Sequence, residues 1–547
     1  MAHTSRIASM SVSVPPPTLM DSMSTAGRLR SLVQAPKPEI KINFDNPKKC
    51  YTTLDRLEGT VTITAPLDTP FADVHIEFVG TSRTYVERLT TATAATGRSE
   101  AFHQFLKLLQ PDTDQYYPTE CVLKAGVTYE FPFIFAVPQQ LLPRCCSHTI
   151  HSSAARDAHL RLPPTFGDKG LAGALEDGAP DMASVRYGVF AKVTEIKVKG
   201  DDAWRSTIAS KARRIRVLPV IETQPPLDVH TEDGDYTMRK ERTIRKGMLK
   251  GKAGTLVMEA AQPQALQVQS YDNPDARTNS MATIMLRYDP IDENSAPPKL
   301  GNLSSKLKVT TYFASTARHN IPTRATSLTD MTQGIHTDQL NLSARCMTNV
   351  EWAKHGPSQT AAMTRRDSAT SLHSSWSGGI PAPSETYKGK AFYTARLVVP
   401  IQLPTSRAFP PTFHSCLISR TYSLRLDLNV STTGLGPSTE LKVPIQISTE
   451  GLVGDELERR GSVGSVDGGN GAEIDVEDAA DLFTYFEPRS TRPPAGGFLH
   501  RSRLGSQAPV VEEPVVDEDA PPGYTPPTGR VMNTRVLSSR GRFVPAY

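Results

Sequence analysis

The sequence lacks most of the features that mark chemistry. Its six cysteines, Cys50, Cys121, Cys145, Cys146, Cys346 and Cys416, form no CxxC pair, and their spacing along the chain suits no zinc site. They read as reduced thiols of a cytosolic protein. No apolar run approaches the roughly 18–20 residues that cross a bilayer. No Gly-rich phosphate loop follows a strand, and neither HExxH nor GxSxG occurs. The 13 histidines are dispersed, and His148 and His151 fall in a stretch that reads as solvated surface. These absences argue against an enzyme, and no cofactor or metal is expected. Charge of one sign is also missing. A net +4 over 547 residues creates no field that calls for nucleic acid.

Lysine is absent from the first 36 residues and again from Gly451 onward, although the latter stretch has ten arginines. The N-terminus has no apolar h-region, so it does not read as a secretory signal. Arg6, Arg28 and Arg30 in a Ser-rich, acid-poor setting resemble a mitochondrial presequence. Pro15, Pro16 and Pro17 interrupt the helix that a presequence needs. Residues 1–35 therefore read as a disordered tail. Apolar residues make up 38% of the chain, as expected when an ordered core is diluted by such segments.

What is present is alternation of period two. Val74, Ile76 and Phe78 alternate with Asp73, His75 and Glu77. Val185, Tyr187, Val189, Ala191 and Val193 share one face. Tyr422, Leu424, Leu426, Leu428 and Val430 share another, as do Leu441, Val443, Ile445 and Ile447. Gly59, Pro66, Pro70 and Gly80 punctuate the early strands. Long helical periodicity is missing. The fold class is all-β, and more than 400 residues of this texture need two cores, hence two consecutive β-sandwiches. The boundaries expected are 36–220 for the first sandwich, with a surface insertion at about 144–183, and 221–450 for the second, with another at about 355–388. The stretch 451–547 turns Gly-rich, then acidic and Pro-rich. It has too little apolar area to offset the entropy of ordering and reads as a disordered tail.

Five stretches, taken in order, carry a family resemblance: LDRLEGTVTITAPLDTPFADVHIEFVGTSRTYV, GVTYEFPFIFAVPQQLLP from Gly126 to Pro143, SVRYGVFAKV, HSCLISRTYSLRLDLNV and LKVPIQI. Their order and spacing resemble the arrestin fold, specifically the fungal α-arrestins, over roughly residues 36–449. The pattern departs at the two insertions and at about 221–300, where TMRKERTIRKGMLKGKAGT forms a basic stretch that reads as a charged loop. The resemblance implies two immunoglobulin-like arrestin sandwiches without an active site, which present β surfaces and loops to partners. It does not by itself assign a function.

The tail supplies the sharper signal. Pro521, Pro522, Gly523 and Tyr524 fit PPxY, the ligand of WW domains. Adjacent prolines preform a polyproline II helix, so little entropy is lost when they dock on an aromatic groove and the tyrosine fills its neighbour. Composition alone gives about 0.1 chance occurrences. In α-arrestins such motifs recruit WW-containing HECT ubiquitin ligases, and the resemblance implies the same here. The acidic run before the motif reads as a solvating spacer.

With no lysine in either tail, an acceptor on this chain must lie between Lys37 and Lys442. Lys192, Lys197, Lys199 and Lys211 are the candidates favoured by analogy. Arg365-Arg366-Asp367-Ser368 and Arg459-Arg460-Gly461-Ser462 fit a basophilic kinase, which makes Ser368 and Ser462 candidate phosphosites and docking points for phosphoserine-binding adaptor proteins. Asp481, Phe483, Phe486 and Arg489 resemble the helix by which some arrestins bind clathrin adaptors, with the arginine one residue early. The expectation is an adaptor that brings a ligase to the cytoplasmic regions of membrane transporters or receptors. It would be cytoplasmic and recruited peripherally to plasma membrane and endosomes. The alternative is an arrestin-like signalling scaffold, as in ambient-pH sensing, without cargo turnover.

Overall fold

A strand that alternates apolar and polar side chains buries one face only, and two such sheets satisfy each other by stacking. The computed structural model describes residues 36–449 apart from 89–96, 170, 172–174, 200–201, 230–233, 247–250, 269–278, 293–294, 357–379 and 432–437. All described residues belong to one unit within Met1–Ala495.

In the first half the strands are β1 (Glu39–Phe44), β2 (Arg56–Thr64), β3 (Thr69–Pro70), β4 (Asp73–Arg88), β5 (Gly97–Leu109), β6 (Val122–Leu123), β7 (Thr128–Ala136), β8 (Ala183–Lys199) and β9 (Asp202–Ile215). In the second half they are β10 (Arg239–Arg245), β11 (Lys252–Ala260), β12 (Leu266–Gln267), β13 (Ser280–Pro290), β14 (Lys299–Ala314), β15 (Gln333–Cys346), β16 (Ala353–His355), β17 (Phe392–Ile401), β18 (Phe413–His414), β19 (Ile418–Ser431), β20 (Ser438–Ile445) and β21 (Ile447–Ser448).

Sheet β1-β2-β7 faces a second sheet, β5-β4-β8-β9. Leu57, Val61 and Ile63 of β2, Phe131, Phe133 and Phe135 of β7, Val74, Ile76 and Phe78 of β4, and the alternating face of β8 from Val185 to Val193 form one core. The second sandwich stacks β10-β11-β13-β17-β16 on β15-β14-β19-β18, with β20 paired to β19. Its core joins Leu256 and Met258, Ile284 and Leu286, Leu397 and Val399, and the row Tyr422 to Val430. Each such fully buried side chain contributes about 1.5–3 kcal/mol relative to exposure. The all-β, two-sandwich expectation holds.

One glycine in the first sandwich is required by close approach. A Cβ on Gly59 would sit 2.0 Å from the Asn43 carbonyl oxygen and 2.7 Å from the Phe133 ring. Gly59 pairs with Phe44 of β1 on one side and Phe133 of β7 on the other, so the three strands leave no room there.

Three sequence expectations change. Residues 144–183, read as a surface insertion, instead enter the junction between the sandwiches. They contain the helix Ser153–Leu160, capped by the Ser152 side chain, and Leu162 and Phe166 are fully buried. This segment docks through single anchors in coil, which leave no period to detect. The second insertion ends in a docked stretch: the buried Arg287 donates to the Pro381 carbonyl at 3.1 Å, and Ser384 donates its N–H to Asp289 at 2.8 Å. The basic stretch after Thr237 is not a charged loop. Most of it forms the hairpin strands β10 and β11, and two of its cations are paired, Arg239 with Glu241 at 2.7 Å and Glu259 at 3.1 Å and Lys246 with Asp292 at 2.7 Å. Among the described residues, no helix is long and apolar enough to cross a membrane.

Candidate functional site

The strongest concentration of buried polar groups lies where the two sandwiches meet. Arg420, at the start of β19, is 3% exposed. Its guanidinium donates to the Asp177 carbonyl at 2.9 Å, to the Gly178 carbonyl at 3.3 Å and to the Thr311 hydroxyl. It also lies against the rings of Phe166 and Tyr422. A planar fork with several donors suits two successive carbonyls better than an ammonium would. The receiving loop is preformed. The Asp177 carboxylate accepts from the Gly167 and Ala179 N–H groups at 2.7 and 2.9 Å, and Gly167 and Gly178 both adopt φ of +64°. Such a φ favours glycine.

Further contacts cross the same junction. Thr84 of β4 donates to the Ala314 carbonyl at 2.6 Å, with both groups buried. Phe166 meets Phe413 edge to face at 5.9 Å. Ala408 donates to the Glu176 carbonyl at 3.0 Å, and Ile221 and Thr449 exchange backbone hydrogen bonds. Arg318 is buried nearby, donating to Ser419 at 3.2 Å, and its burial pulls the guanidinium down to about 9. An open cleft of about 290 Å³ adjoins the loop, lined by Gly167, Asp168, Leu171, Glu176, Asp177 and Arg216. This arrangement joins the two sandwiches through several independent contacts. It offers carbonyls, guanidinia and aromatic faces, which suit binding and coupling.

A second feature is the outer face of the β5-β4-β8-β9 sheet. Glu77 lies between Lys107 at 3.2 Å and Lys192 at 3.3 Å. Asp73 accepts from Tyr117 at 2.6 Å and from Arg205 at 2.8 Å, and its carboxylate lies 3.1 Å from His75. Toward the end of the β8–β9 hairpin, Ile196 and Val198 are exposed apolar side chains on one face, and Trp204, opposite Lys197, is exposed on the other. Such surface suits a protein partner.

The structure places the sequence-derived lysines on this sheet. Lys192 is partly covered and paired with Glu77. Lys197 is half-exposed and 2.9 Å from Glu195, and Lys211 is exposed on β9. Lys199 ends β8, and its side chain lies outside the described residues. The PPxY residues Pro521, Pro522, Gly523 and Tyr524, the candidate phosphosites Ser368 and Ser462, and the Asp481–Arg489 segment also lie outside them.

Sequence reasoning missed the Arg420 clamp. Arg420 stands in register with the inward row Tyr422 to Val430, but a charged residue there reads as the end of the row, and its partners are mostly backbone atoms that no residue type announces. It also gave no reason to join Cys146, His148, His159 and Cys416, whose ligand atoms lie within 4.8 Å of one another at this junction.

Residues 40–221 match the model of the family described as Arrestin (or S-antigen), N-terminal domain. No curated protein matches the chain. The matched stretch spans the whole first sandwich and the segment that carries Asp177. Over residues 40–221 the chain is therefore similar to an arrestin N-terminal domain, and that similarity suggests an arrestin-like adaptor or scaffold role.

Proposed function

We propose that the protein is an arrestin-related adaptor that recruits a WW-domain HECT ubiquitin ligase to plasma-membrane transporters or receptors and promotes their ubiquitin-dependent endocytosis. The observation that carries the reading is Pro521-Pro522-Gly523-Tyr524 on the same chain as a stretch similar to an arrestin N-terminal domain. Proximity is the mechanism: one part of the chain holds the cargo, the tail holds the ligase, and the ligase's effective concentration at the cargo rises. A single PPxY binds modestly, so contacts elsewhere or clustered cargo add to it. The exposed apolar side chains Ile196, Val198 and Trp204 suit such a contact. Phosphorylation at Ser368 and Ser462 adds anionic docking points for phosphoserine-binding adaptors and so regulates the assembly.

The test is capture of the full chain on isolated WW domains, wild type against Tyr524→Ala. Binding of the wild type and its loss in the variant support the reading. Equal binding by both sinks it. If Tyr524→Ala loses WW binding while transporter levels and turnover in cells stay normal, the protein is a signalling scaffold instead.

A further inference from the structure

Four soft or borderline side chains converge at the sandwich junction. Cys146 follows a short 3-10 turn, His148 lies two residues on, His159 sits on the helix Ser153–Leu160, and Cys416 occupies the tight turn between β18 and β19. The Cys146 sulfur lies 3.1 Å from His148 Nε2, 3.7 Å from His159 Nδ1 and 3.5 Å from the Cys416 sulfur. All four ligand atoms lie within 4.8 Å of one another. A tetrahedron with metal–sulfur bonds of about 2.3 Å and metal–nitrogen bonds of about 2.0 Å has edges of roughly 3.4–3.8 Å. The three spacings from Cys146 are close to those edges.

Hydrogen bonding alone serves this group poorly. Cys146 carries one S–H but faces three groups, and only one can receive it. His159 is fully buried, and Nδ1 is the ring nitrogen it turns toward the group, 3.7 Å from the Cys146 sulfur. A cation at the centre would meet all four lone pairs at once. The surroundings also resemble a metal's outer shell. His148 Nδ1 lies 3.2 Å from the Thr149 carbonyl, which leaves Nε2 as the free lone pair pointing at Cys146. The same carbonyl lies 2.6 Å from His319 Nδ1, which ties the shell to the second sandwich.

We propose that Cys146, His148, His159 and Cys416 bind one structural zinc ion that pins the two sandwiches together. Two thiolates and two imidazoles balance the dication and match a closed four-coordinate S₂N₂ site. Three ligands come from the segment that precedes β8, and the fourth lies 270 positions from Cys146. The ion therefore closes a very long loop and adds its binding free energy to the contacts that join the sandwiches.

Metal content of the purified full chain, handled without chelator, is the test, with Cys146→Ser, His148→Ala and Cys416→Ser as site variants. Cys145→Ser is the control, because Cys145 adjoins the group without belonging to it. The expected result is about one zinc per chain in the wild type and in Cys145→Ser, with at least a several-fold loss in the site variants. Cobalt(II) added to zinc-depleted wild type gives thiolate charge-transfer bands, a readout that does not depend on any variant folding. Three results overturn the proposal: no bound metal in wild type after incubation with excess zinc, zinc content unchanged in Cys416→Ser, or a Cys146–Cys416 disulfide in metal-free, freshly isolated chain.

Discussion

Arg420 of β19 donates to the Asp177 carbonyl at 2.9 Å, while the Asp177 carboxylate turns back to hold its own loop through the Gly167 and Ala179 N–H groups. The pair meets charge to backbone dipole, not charge to charge. The loop is held by these hydrogen bonds of its own, and the guanidinium lies near the rings of Phe166 and Tyr422. Removing the side chain leaves two partly buried carbonyls and the buried Thr311 hydroxyl without this donor. Arg420→Ala is expected to cost roughly 2–3 kcal/mol in chemical denaturation. Arg420→Lys should recover less than half, because an ammonium cannot span both carbonyls. A midpoint unchanged in Arg420→Ala would show that the clamp is ornamental to stability.

Gly59 gives a test of the first sandwich independent of the junction. An added methyl would have to displace the Asn43 carbonyl at 2.0 Å, which is backbone and cannot swing aside. Gly59→Ala is expected to destabilise by about 1–3 kcal/mol or more and to reduce soluble yield. At Gly97, the first residue of β5, an added Cβ meets nothing within 4 Å, so Gly97→Ala should change stability by less than about 0.5 kcal/mol. Equal melting temperatures for the two variants would contradict the packing described around Gly59.

The strands were legible because each announces itself locally. The face Val185 to Val193 and the face Tyr422 to Val430 are both buried as their alternation requires. Residues 162–166 were not legible, although all five are buried, because a coil wedged between two sandwiches has no repeating inward position. The junction was illegible for a related reason. Arg420 finds Asp177 across 243 positions, and Cys416 meets Cys146 across 270. Residue type says what such groups are able to do, but only the approach of two sheets says which of them meet. The PPGY motif is the reverse case. Its meaning lies in composition and local conformation, so the sequence reads it without a fold.

Acid sensitivity should trace to the outer face of β4. Burial alone would raise the Glu77 carboxyl, but the hydrogen bond from Lys107 and the charge of Lys192 outweigh it and hold the pKa below the usual value. Asp73 behaves alike: burial is outweighed by the hydrogen bond from Tyr117 and by His75 and Arg205. His75 is also lowered, chiefly by burial, with Lys192 and Arg205 adding to it against Asp73 and Glu77. For all three, the unfolded chain binds protons more readily than the folded one. Their stabilisation is therefore complete above the unfolded values, about 6.5 for the histidine and about 4 for the carboxyls, and is lost as pH falls through the lowered folded values. Glu77→Gln is expected to lower stability at pH 7 and to flatten the stability–pH curve below about pH 4.5. A curve that keeps the wild-type acid slope in Glu77→Gln would assign acid sensitivity elsewhere.

Ubiquitin transfer gives the last prediction, which rests on the ligase reading. A docked ligase needs a lysine whose amine reaches solvent, and neither tail contains one. Among the candidates on β8 and β9, Lys211 is exposed and Lys197 is half-exposed and paired with its neighbour Glu195. Lys192 is the most covered of the three, held against Glu77 Oε1, the same oxygen that Lys107 contacts. Breaking that partly buried pairing costs more than releasing a surface pair, which is worth about 0–1 kcal/mol. Reconstituted ubiquitination with a WW-domain HECT ligase, mapped by mass spectrometry, should therefore mark Lys197 and Lys211 well ahead of Lys192. Tyr524→Ala should abolish the marking at all of them. Persistence of the same sites in Tyr524→Ala would separate ubiquitination from the PPxY motif, whereas modification led by Lys192 would mean that Glu77 does not hold it.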